Sequence, residues 1–294
     1  MDKVLRDKRA ILLFVLPGLT LFLLVVIIPM FTSIYYSLLD WNGFGDRTFI
    51  GLKNYYELFS GKVFSFNKSI INGFYLTFLT LLFQFPMALV LALILSSEIK
   101  GEGFFRTVYF IPVMLSAVVI AMLFQRIYDP NYGLLHMVLL KLGLQSWAEV
   151  TLLGNPKTAM TAASFPILWQ WVGYHMLLLY AGAKSVPTEL REAAKIDGAG
   201  PVTTVFRIVL PLMLPVIKVC IVMLIIGSIK EFDVIFTMTK GGPVNSSQMP
   251  SLVMIETIFR RYKYGMGSAM AMCIVLLCLL ITALLQKIFD RKDP

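Results

Sequence analysis

The chain has 294 residues, of which 58% are apolar and only 15% are charged, and its formal net charge is +9. Soluble domains are about 45–50% apolar and about 25% charged, so this chain cannot bury its apolar surface in one soluble core. The composition excludes a disordered protein, a fibre, a nucleic-acid-binding arm and most soluble enzymes, and it predicts a protein that is embedded in a lipid bilayer.

Long runs without charged residues locate the predicted membrane spans, because about 17–25 such residues cross about 30 Å of hydrocarbon. The first run is too long for the apolar region of a signal peptide and lacks a small-residue cleavage site, so it predicts an uncleaved anchor. The run 132–140 is too short to span and predicts an interfacial or re-entrant piece. We expect an all-α polytopic membrane protein with one domain over residues 1–294 and six transmembrane helices, near 11–31, 71–96, 107–127, 159–183, 207–229 and 266–287.

The positions of Lys and Arg predict the orientation of these helices. If both termini are inside, the inner segments carry about twice the density of Lys and Arg found in the outer segments. Positive residues concentrate on the cytoplasmic side of membrane proteins. The outer cluster Arg260–Lys263 argues the other way, but the balance favours cytoplasmic N- and C-termini.

The sequence offers no catalytic or metal-binding motif. His136 and His175 are its only histidines, the three cysteines form no CxxC pair, and no HExxH spacing occurs. The chain also lacks the GxxxxGK[ST] loop that binds nucleotide phosphates. We therefore expect no enzyme activity, no metal and no cofactor on this chain, and any ATP must be bound by another subunit.

The segment 185–209 has more local structure than a simple linker needs. Pro187 suits the start of a helix, acidic residues follow near its positive end, and Lys195 lies near its negative end. Leu190, Ala193 and Ala194 have the spacing of one apolar stripe. Asp197-Gly198 ends this helix, and Gly200-Pro201 begins a second one that runs to Pro211. The pattern predicts a helix–turn–helix, although an amphipathic linker on lipid headgroups fits it equally well.

The residues of this segment resemble a known motif. Glu192-Ala-Ala-x-x-Asp197-Gly198-Ala199, followed by Phe206, Ile208 and Leu210-Pro211, is similar to the EAA loop of permease subunits from binding-protein-dependent ABC importers. In that family the loop docks in a groove of the ATPase subunit. The resemblance implies that the loop couples this chain to an ATPase through Glu192, Ala193, Ala194, Asp197, Gly198, Ala199 and Phe206.

Further motifs resemble the carbohydrate-type members of that family, which include the larger maltose permease subunit and its multiple-sugar and glycerol-phosphate relatives. They are Ile50–Tyr55, Phe105–Pro112, Tyr132–Leu135, Trp169–Tyr174 and Phe232–Pro243. The resemblance implies the type I importer permease (MetI-like) fold in a prokaryotic cell membrane. It also implies a second permease chain, two ATPase subunits that bind ATP and Mg²⁺, and a sugar-binding protein outside.

The fourth predicted span concentrates aromatic and polar side chains between Trp169 and His175. Such residues build sugar sites, but Trp and Tyr also form belts at membrane interfaces, and spacing alone does not decide between the two. The resemblance places solute contacts at Trp169, Gln170 and Tyr174, and on the fifth span at Ser228 and Glu231. The maltose subunit has amides near this last position, where this chain carries a carboxylate.

The expected function is the permease subunit of a binding-protein-dependent importer for sugars or oligosaccharides. It would form half of the translocation path and work by alternating access. One alternative is the same machine for another solute, such as glycerol-phosphate or a polyamine. A stand-alone membrane channel or enzyme is the other, and it would need a pore ring or a catalytic group that the sequence does not show.

Overall fold

The structure is a computed structural model that describes residues 8–97 and 99–290, and these residues are almost entirely helical. They group into two compact units. The first comprises the residues up to Val63 together with Met254–Leu276, and the second comprises Phe64–Val253 and the residues from Leu277 on. The prediction of a single membrane domain over 1–294 stays a prediction.

The first unit begins with a long apolar helix that continues past the predicted span 11–31. Its most apolar stretch, within Leu13–Ser37, has no residue buried within the protein, as expected for a helix that faces lipid. A short hairpin follows, with Leu39 opposite Phe49. The elements are α1 (Lys8–Phe22), a π-helical turn (Leu23–Ile27), α2 (Ile28–Ser37), β1 (Leu39–Asp40), β2 (Thr48–Phe49) and α3 (Lys53–Phe59).

The motif Ile50–Tyr55 has a structural role in this unit. The buried side-chain amide of Asn54 donates hydrogen bonds to the carbonyl oxygens of Ser37 and Leu39, both at 2.9 Å. The Tyr55 hydroxyl donates to the hydroxyl of Ser37 at 2.7 Å. The Asn54 bonds satisfy one carbonyl at the end of α2 and one in β1, so the motif fastens α3 to the end of the first long helix.

The second unit is built around one 26-residue helix, which packs against most of the unit's other long helices. Its elements are α4 (Phe64–Leu79), a π-helical turn (Thr80–Gln84), α5 (Phe85–Ser96), α6 (Glu102–Met114), α7 (Ala117–Ile127), α8 (Leu134–Lys141), α9 (Gln145–Ala148), the central helix α10 (Ala159–Lys184), α11 (Thr188–Ile196), α12 (Pro201–Thr204), a π-helical turn (Val205–Val209), α13 (Leu210–Leu212), α14 (Leu214–Lys230) and α15 (Asp233–Thr239). The last two helices of the chain, α16 (Pro250–Phe259) and α17 (Tyr264–Asp290), each continue from one unit into the other.

Two buried apolar clusters form the core of the second unit, one at each half of α10. The cluster at its N-terminal half includes Met160, Ala163 and Ile167. The cluster at its C-terminal half includes Met176, Leu179 and Ala183. The polar residues of α10 therefore lie between two dry regions, where a polar group needs a partner from the protein or from a ligand.

The number of helices that could cross a membrane differs from the predicted six. By length and apolarity, three helices of the described chain can each cross a membrane, and two bent pairs raise the number to five. The central helix α10 is long enough, and it matches the predicted span 159–183, but it is less apolar than the others. Its polar residues lower its apolarity, and many of them are buried against neighbouring helices rather than exposed to lipid.

The span expected near 107–127 is not one straight helix. It consists of α6 and α7, which meet at 93° across Leu115 and Ser116. Both residues have extended backbones, with ψ values of 145° and 135°. The Leu115 carbonyl accepts a hydrogen bond from the side-chain amide of Gln170 at 3.2 Å, which stabilises the break.

The span expected near 207–229 is also broken. The segment Pro201–Leu212 and the helix that begins at Leu214 meet at 72°. Pro215 lacks the N–H that would bond to Pro211, and its ring would clash with the turn before it, so a straight helix cannot pass through this point. The run 132–140 contributes most of the short helix α8, which is too short to span a membrane, as expected.

The loop before α8 is held by an Asp129 side chain that accepts hydrogen bonds from the backbone N–H groups of Asn131 and Tyr132, at 2.9 and 3.0 Å. These N–H groups hold the pKa of Asp129 below its ordinary value. A Cβ atom at Gly133 would fall on the carbonyl oxygens of Ile127 and Asp129. This close approach explains why the Tyr132–Leu135 motif contains a glycine.

Gly173 permits the closest approach of α6 to the central helix. A Cβ atom there would fall on the Tyr109 carbonyl oxygen, which belongs to the backbone and cannot rotate away. We expect Gly173→Ala to destabilise the protein by about 1–3 kcal/mol, because α6 must move outward. The measurement is the thermal unfolding midpoint of the purified protein in detergent.

Gly103→Ala is the matched control, because Gly103 lies on α6 and has no atom within 4 Å of a Cβ position. Equal midpoints for the two variants would show that α6 and α10 do not need this contact.

Candidate functional site

A cavity of about 330 Å³ lies beside the middle of the central helix, between the two apolar clusters. Its walls come from the π-helical turn before α5, from α10 and from α14. Aromatic faces and hydrogen-bonding groups are mixed in it, as in sites that bind small polar molecules. Its lining residues are Thr80, Gln84, Ile167, Trp171, Tyr174, His175, Met223, Leu224, Gly227, Ser228 and Glu231.

The π-helical turn Thr80–Gln84 brings two polar side chains to this cavity. Pro86 has no N–H to donate to the preceding turn, and the wider turn of the helix accommodates this loss. The extra residue in the turn rotates Thr80 and Gln84 toward α10 and α14. The sequence alone suggested only packing and a kink for Gln84 and Pro86, and the structure adds a polar contribution to the cavity.

Gln84 and His175 form a buried polar pair. The amide nitrogen of Gln84 lies 2.9 Å from Nδ1 of His175. Nδ1 also lies 2.9 Å from the Trp171 carbonyl. Because the amide nitrogen of Gln84 can only donate, we assign Nδ1 as the acceptor of this bond, which places the ring proton of neutral His175 on Nε2.

The Gln84 side chain is 1% exposed, and its carbonyl oxygen has no hydrogen-bond partner. An unpaired buried acceptor costs about 1–3 kcal/mol, and native proteins seldom retain one without a use. Because Gln84 lines the cavity, a hydroxyl or amino group of a bound solute could satisfy this oxygen.

Two hydroxyl groups also line the cavity. The Thr80 and Ser228 oxygens lie 3.0 Å apart and join the π-helical turn to α14. Thr80 also donates to the Thr77 carbonyl, and Ser228 to the Leu224 carbonyl, at 2.9 and 2.8 Å. Their protons are shared among these acceptors, so the oxygens present mainly acceptor character to the cavity.

Glu231 lies at the end of α14 and supplies the one carboxylate of the cavity lining. One of its oxygens accepts the backbone N–H of Val234 at 3.2 Å, at the start of α15. Within the described residues no Lys or Arg forms an ion pair with it. The cavity therefore combines the acceptors of Thr80, Gln84, Ser228 and Glu231 with the donors of Trp171, Tyr174 and His175, which favours a solute rich in hydroxyl groups.

The five residues that the sequence assigned to the solute path do not all line this cavity. Tyr174, Ser228 and Glu231 do. Trp169 packs with its ring centroid 5.7 Å from that of Phe124, and Gln170 donates to Leu115 at the helix break. The assignment of these two to the path stays a prediction. The structure adds Thr80, Gln84, Trp171 and His175 to the residues that line the cavity. Of these, Thr80 and Gln84 could have been found in the sequence, because they are polar residues one turn apart in a run without charges.

The segment 185–209 folds as the helix–turn–helix expected from the sequence. The first helix, α11, follows Pro187, and the second begins at Pro201 after an extended Gly200. Gly198 has a φ of +81°, and its N–H bonds to the Lys195 carbonyl while the Ala199 N–H bonds to the Ala194 carbonyl. This pair of bonds is the Schellman motif, which closes a helix around a left-handed residue.

The apolar stripe predicted on α11 is only partly buried. Ala194 is 7% exposed, but Leu190 and Ala193 are exposed to solvent. Glu192 and Asp197 are exposed as well, and Ile196 and Phe206 are 86% and 66% exposed. The helix α11 therefore rests on the protein through Ala194 and Arg191, while the other residues of the predicted stripe face outward.

Both ends of this segment are fastened to the central helix. The Arg191 guanidinium donates to the carbonyl of Ala183 near the end of α10. At the other end Val209 and Met213 are buried in the same cluster as Met176 and Leu179. The segment is therefore attached to α10, whose middle lines the cavity.

Comparison with known proteins agrees with this architecture. A family profile described as "Binding-protein-dependent transport system inner membrane component" matches residues 84–292. The chain is 36% identical to a probable ABC transporter permease protein of Bacillus subtilis, with 94% of each chain covered. It is 32% identical to a multiple sugar-binding transport system permease protein of Streptococcus mutans, with 90% of each covered.

Further matches extend to other kinds of organism and to a solved structure. A trehalose/maltose transport system permease protein of Thermococcus litoralis is 31% identical, over 96% of this chain and 94% of that protein. A solved bacterial ABC transporter involved in the import of alginate has a chain with a TM-score of 0.84 and 24% identity, covering 100% of this chain and 99% of its own. This similarity shows that the two chains share a fold.

Proposed function

The chain belongs to the family of inner membrane components of binding-protein-dependent transport systems, and from this membership we propose that it is a permease subunit of an ATP-driven importer for sugars or oligosaccharides. The observation that carries the solute class is the composition of the central cavity. Trp171 and Tyr174 offer flat faces for the apolar side of a sugar ring, while Gln84, Ser228 and Glu231 offer acceptors for its hydroxyl groups.

The names of the relatives support this solute class. A multiple sugar-binding system and a trehalose/maltose system each contain a permease that is more than 30% identical to this chain over most of its length. The unpaired carboxylate of Glu231 favours one second candidate, a cationic solute such as a polyamine, because a carboxylate at membrane depth is costly unless it is used.

The proposed assembly contains three further components. A second permease chain would close the other side of the solute path, an ATPase dimer would bind ATP and Mg²⁺, and a sugar-binding protein would deliver the solute. A solved alginate transporter of the same fold was captured with its oligosaccharide-bound periplasmic protein, which supports the last of these for this chain. The permease itself would hydrolyse no ATP.

We propose that segment 185–209 is the lever between the ATPase and the cavity. The exposed Glu192, Ala193 and Phe206 would contact the ATPase, while Ala194, Ala199 and the bonds of Gly198 fix the shape of the turn. Arg191 passes the movement to the end of α10. Tyr174 lies ten residues from that end, about 15 Å at 1.5 Å per residue, so a rigid shift of α10 reaches the solute directly.

The first prediction concerns the solute path. Gln84→Leu and Glu231→Leu should lower sugar uptake about tenfold or more at constant amounts of assembled complex, because each leaves a solute hydroxyl without a partner in a dry site. The measurement is uptake of several sugars and one polyamine in whole cells, normalised to the assembled complex. A loss confined to the polyamine would favour the second candidate.

Gln125→Leu is the control for loss of a buried amide elsewhere. Gln125 donates to the carbonyls of Thr237 and Met238, both at 3.0 Å, and does not line the cavity. It should lower the amount of complex and leave uptake per complex unchanged. If the three variants behave alike, the cavity is not the solute path.

The second prediction concerns coupling. Gly198→Val should abolish solute-stimulated ATP hydrolysis while the complex remains assembled, because a β-branched residue resists a φ of +81° even though a Cβ atom there meets open space. Glu192→Lys should have the same effect by reversing an exposed charge at the docking surface. The measurement is ATP hydrolysis of the reconstituted importer with and without solute-loaded binding protein.

Gly200→Val is the matched control for coupling, since Gly200 also has open space but an extended backbone that valine adopts. Normal stimulation in Gly198→Val and Glu192→Lys would remove the lever role of this segment.

The third prediction concerns orientation, with both termini in the cytoplasm. In a background whose three cysteines are replaced by serine, Lys100→Cys should react with an impermeant thiol reagent only from the cytoplasmic side. Lys157→Cys should react only from outside, and both positions are exposed. Labelling of both from one side would contradict the six-span arrangement.

A further inference from the structure

A second cavity, of about 380 Å³, lies where α11 and the helix that starts at Pro201 meet the end of α5. It shares no lining residue with the central cavity. Its polar lining consists of two cationic side chains and three hydroxyl groups, and apolar residues such as Leu93 and Val209 complete its walls. The polar residues are Ser96, Ser97, Arg191, Lys195 and Thr204.

The two cationic side chains face the cavity from successive turns of α11. Arg191 and Lys195 are four residues apart and so lie on one face of the helix. The terminal nitrogen of Arg191 is used on the Ala183 carbonyl, but its Nε is buried and has no hydrogen-bond partner. Among the described residues, no carboxylate forms an ion pair with either cation. A buried guanidinium N–H without an acceptor indicates a place for an anionic oxygen.

The three hydroxyl groups have a complementary character. Each donates its proton to a carbonyl of its own helix: Ser96 to Leu93 at 2.9 Å, Ser97 to Ile94 at 2.6 Å, and Thr204 to Gly200 at 3.1 Å. Their oxygens therefore remain as acceptors for donors of a ligand. The cavity joins a cationic region that suits an anion to acceptors that suit hydroxyl groups.

We propose that this cavity binds a phosphate ester of a polyol, with the phosphate on Arg191 and Lys195 and the ligand hydroxyls on Ser96, Ser97 and Thr204. Two sources carry this chemistry, the headgroup of phosphatidylglycerol in the membrane and a free sugar phosphate. Either ligand bridges α11 to the end of α5 and restrains the movement of the proposed lever. The site thus regulates coupling and is separate from the solute path.

The test uses the importer purified with its partner subunits. Binding of glucose 6-phosphate is measured by titration calorimetry, and retention of phosphatidylglycerol against phosphatidylcholine is measured by native mass spectrometry. Lys195→Gln, an exposed position that tolerates substitution, should weaken binding about tenfold or more. Arg191→Lys keeps the charge but loses Nε, and it should weaken binding about threefold or more. Arg207→Gln removes a charge from the next helix outside the cavity, and it should change affinity by less than about twofold.

Each outcome decides the proposal. Saturable binding of glucose 6-phosphate that Lys195→Gln weakens supports a free phosphate ester as the ligand. Selective retention of phosphatidylglycerol that the same variant abolishes supports the lipid headgroup. No saturable binding in either arm, or equal losses in Lys195→Gln and Arg207→Gln, overturns the proposal, as would an acidic side chain of the ATPase occupying the cavity. Because the readout is binding, it is independent of sugar uptake, and either proposal can fail without the other.

Discussion

The constraint on which the second unit depends is the burial of polar side chains along one helix that lies inside a membrane protein. Within hydrocarbon no water is available, so a polar group must find its partner in the protein or in a ligand. The central helix Ala159–Lys184 meets this constraint in two ways. Gln170 gives its amide to a helix break, and His175 accepts from Gln84. The side-chain oxygens of Gln84 and Gln170 remain unpaired, and of these two residues Gln84 lines the cavity.

The breaks in the neighbouring helices follow from the same constraint. A proline in a membrane helix removes one backbone hydrogen bond, and the freed groups must be satisfied locally. Near Pro86 the helix widens into a π-helical turn, near Pro112 it breaks and is held by Gln170, and before Pro215 it bends by 72°. The irregularity near Pro86 adjoins the cavity, and the one before Pro215 adjoins the segment 185–209. These two prolines therefore shape the cavity and the proposed lever.

The segment 185–209 shows how a short element between two long helices can be rigid. Two backbone hydrogen bonds around the left-handed Gly198 close its turn. Arg191 bonds to the end of the central helix, and Val209 is buried in the apolar cluster beside the same helix. The residues that face outward are then free to make contacts with a partner. Rigidity matters for the proposed mechanism, since a flexible loop would absorb a movement of the ATPase instead of passing it to the central helix.

The sequence by itself determined the class of protein, the helical segments and the family motifs. Apolar runs are long enough to mark helices, and Gly198 after Asp197 marks a turn, because these signals depend on residues close together in the chain. The sequence did not determine which polar residues share the cavity. Trp169 and Trp171 are the same residue type two positions apart, so the sequence does not tell which of them lines a site. Only the packing of α7 and α14 against the central helix places Trp171 at the cavity and Trp169 against Phe124.

The bends at Leu115 and Met213, the outward face of Leu190 and the pairing of Gln84 with His175 were likewise decided by tertiary structure. The physical reason is that each depends on a neighbour distant in sequence. A proline permits a break, but the amide of Gln170, 55 residues away, stabilises it at Leu115. The spacing of residues predicts which of them share one face of a helix. Which face is buried depends on segments distant in sequence that pack against the helix.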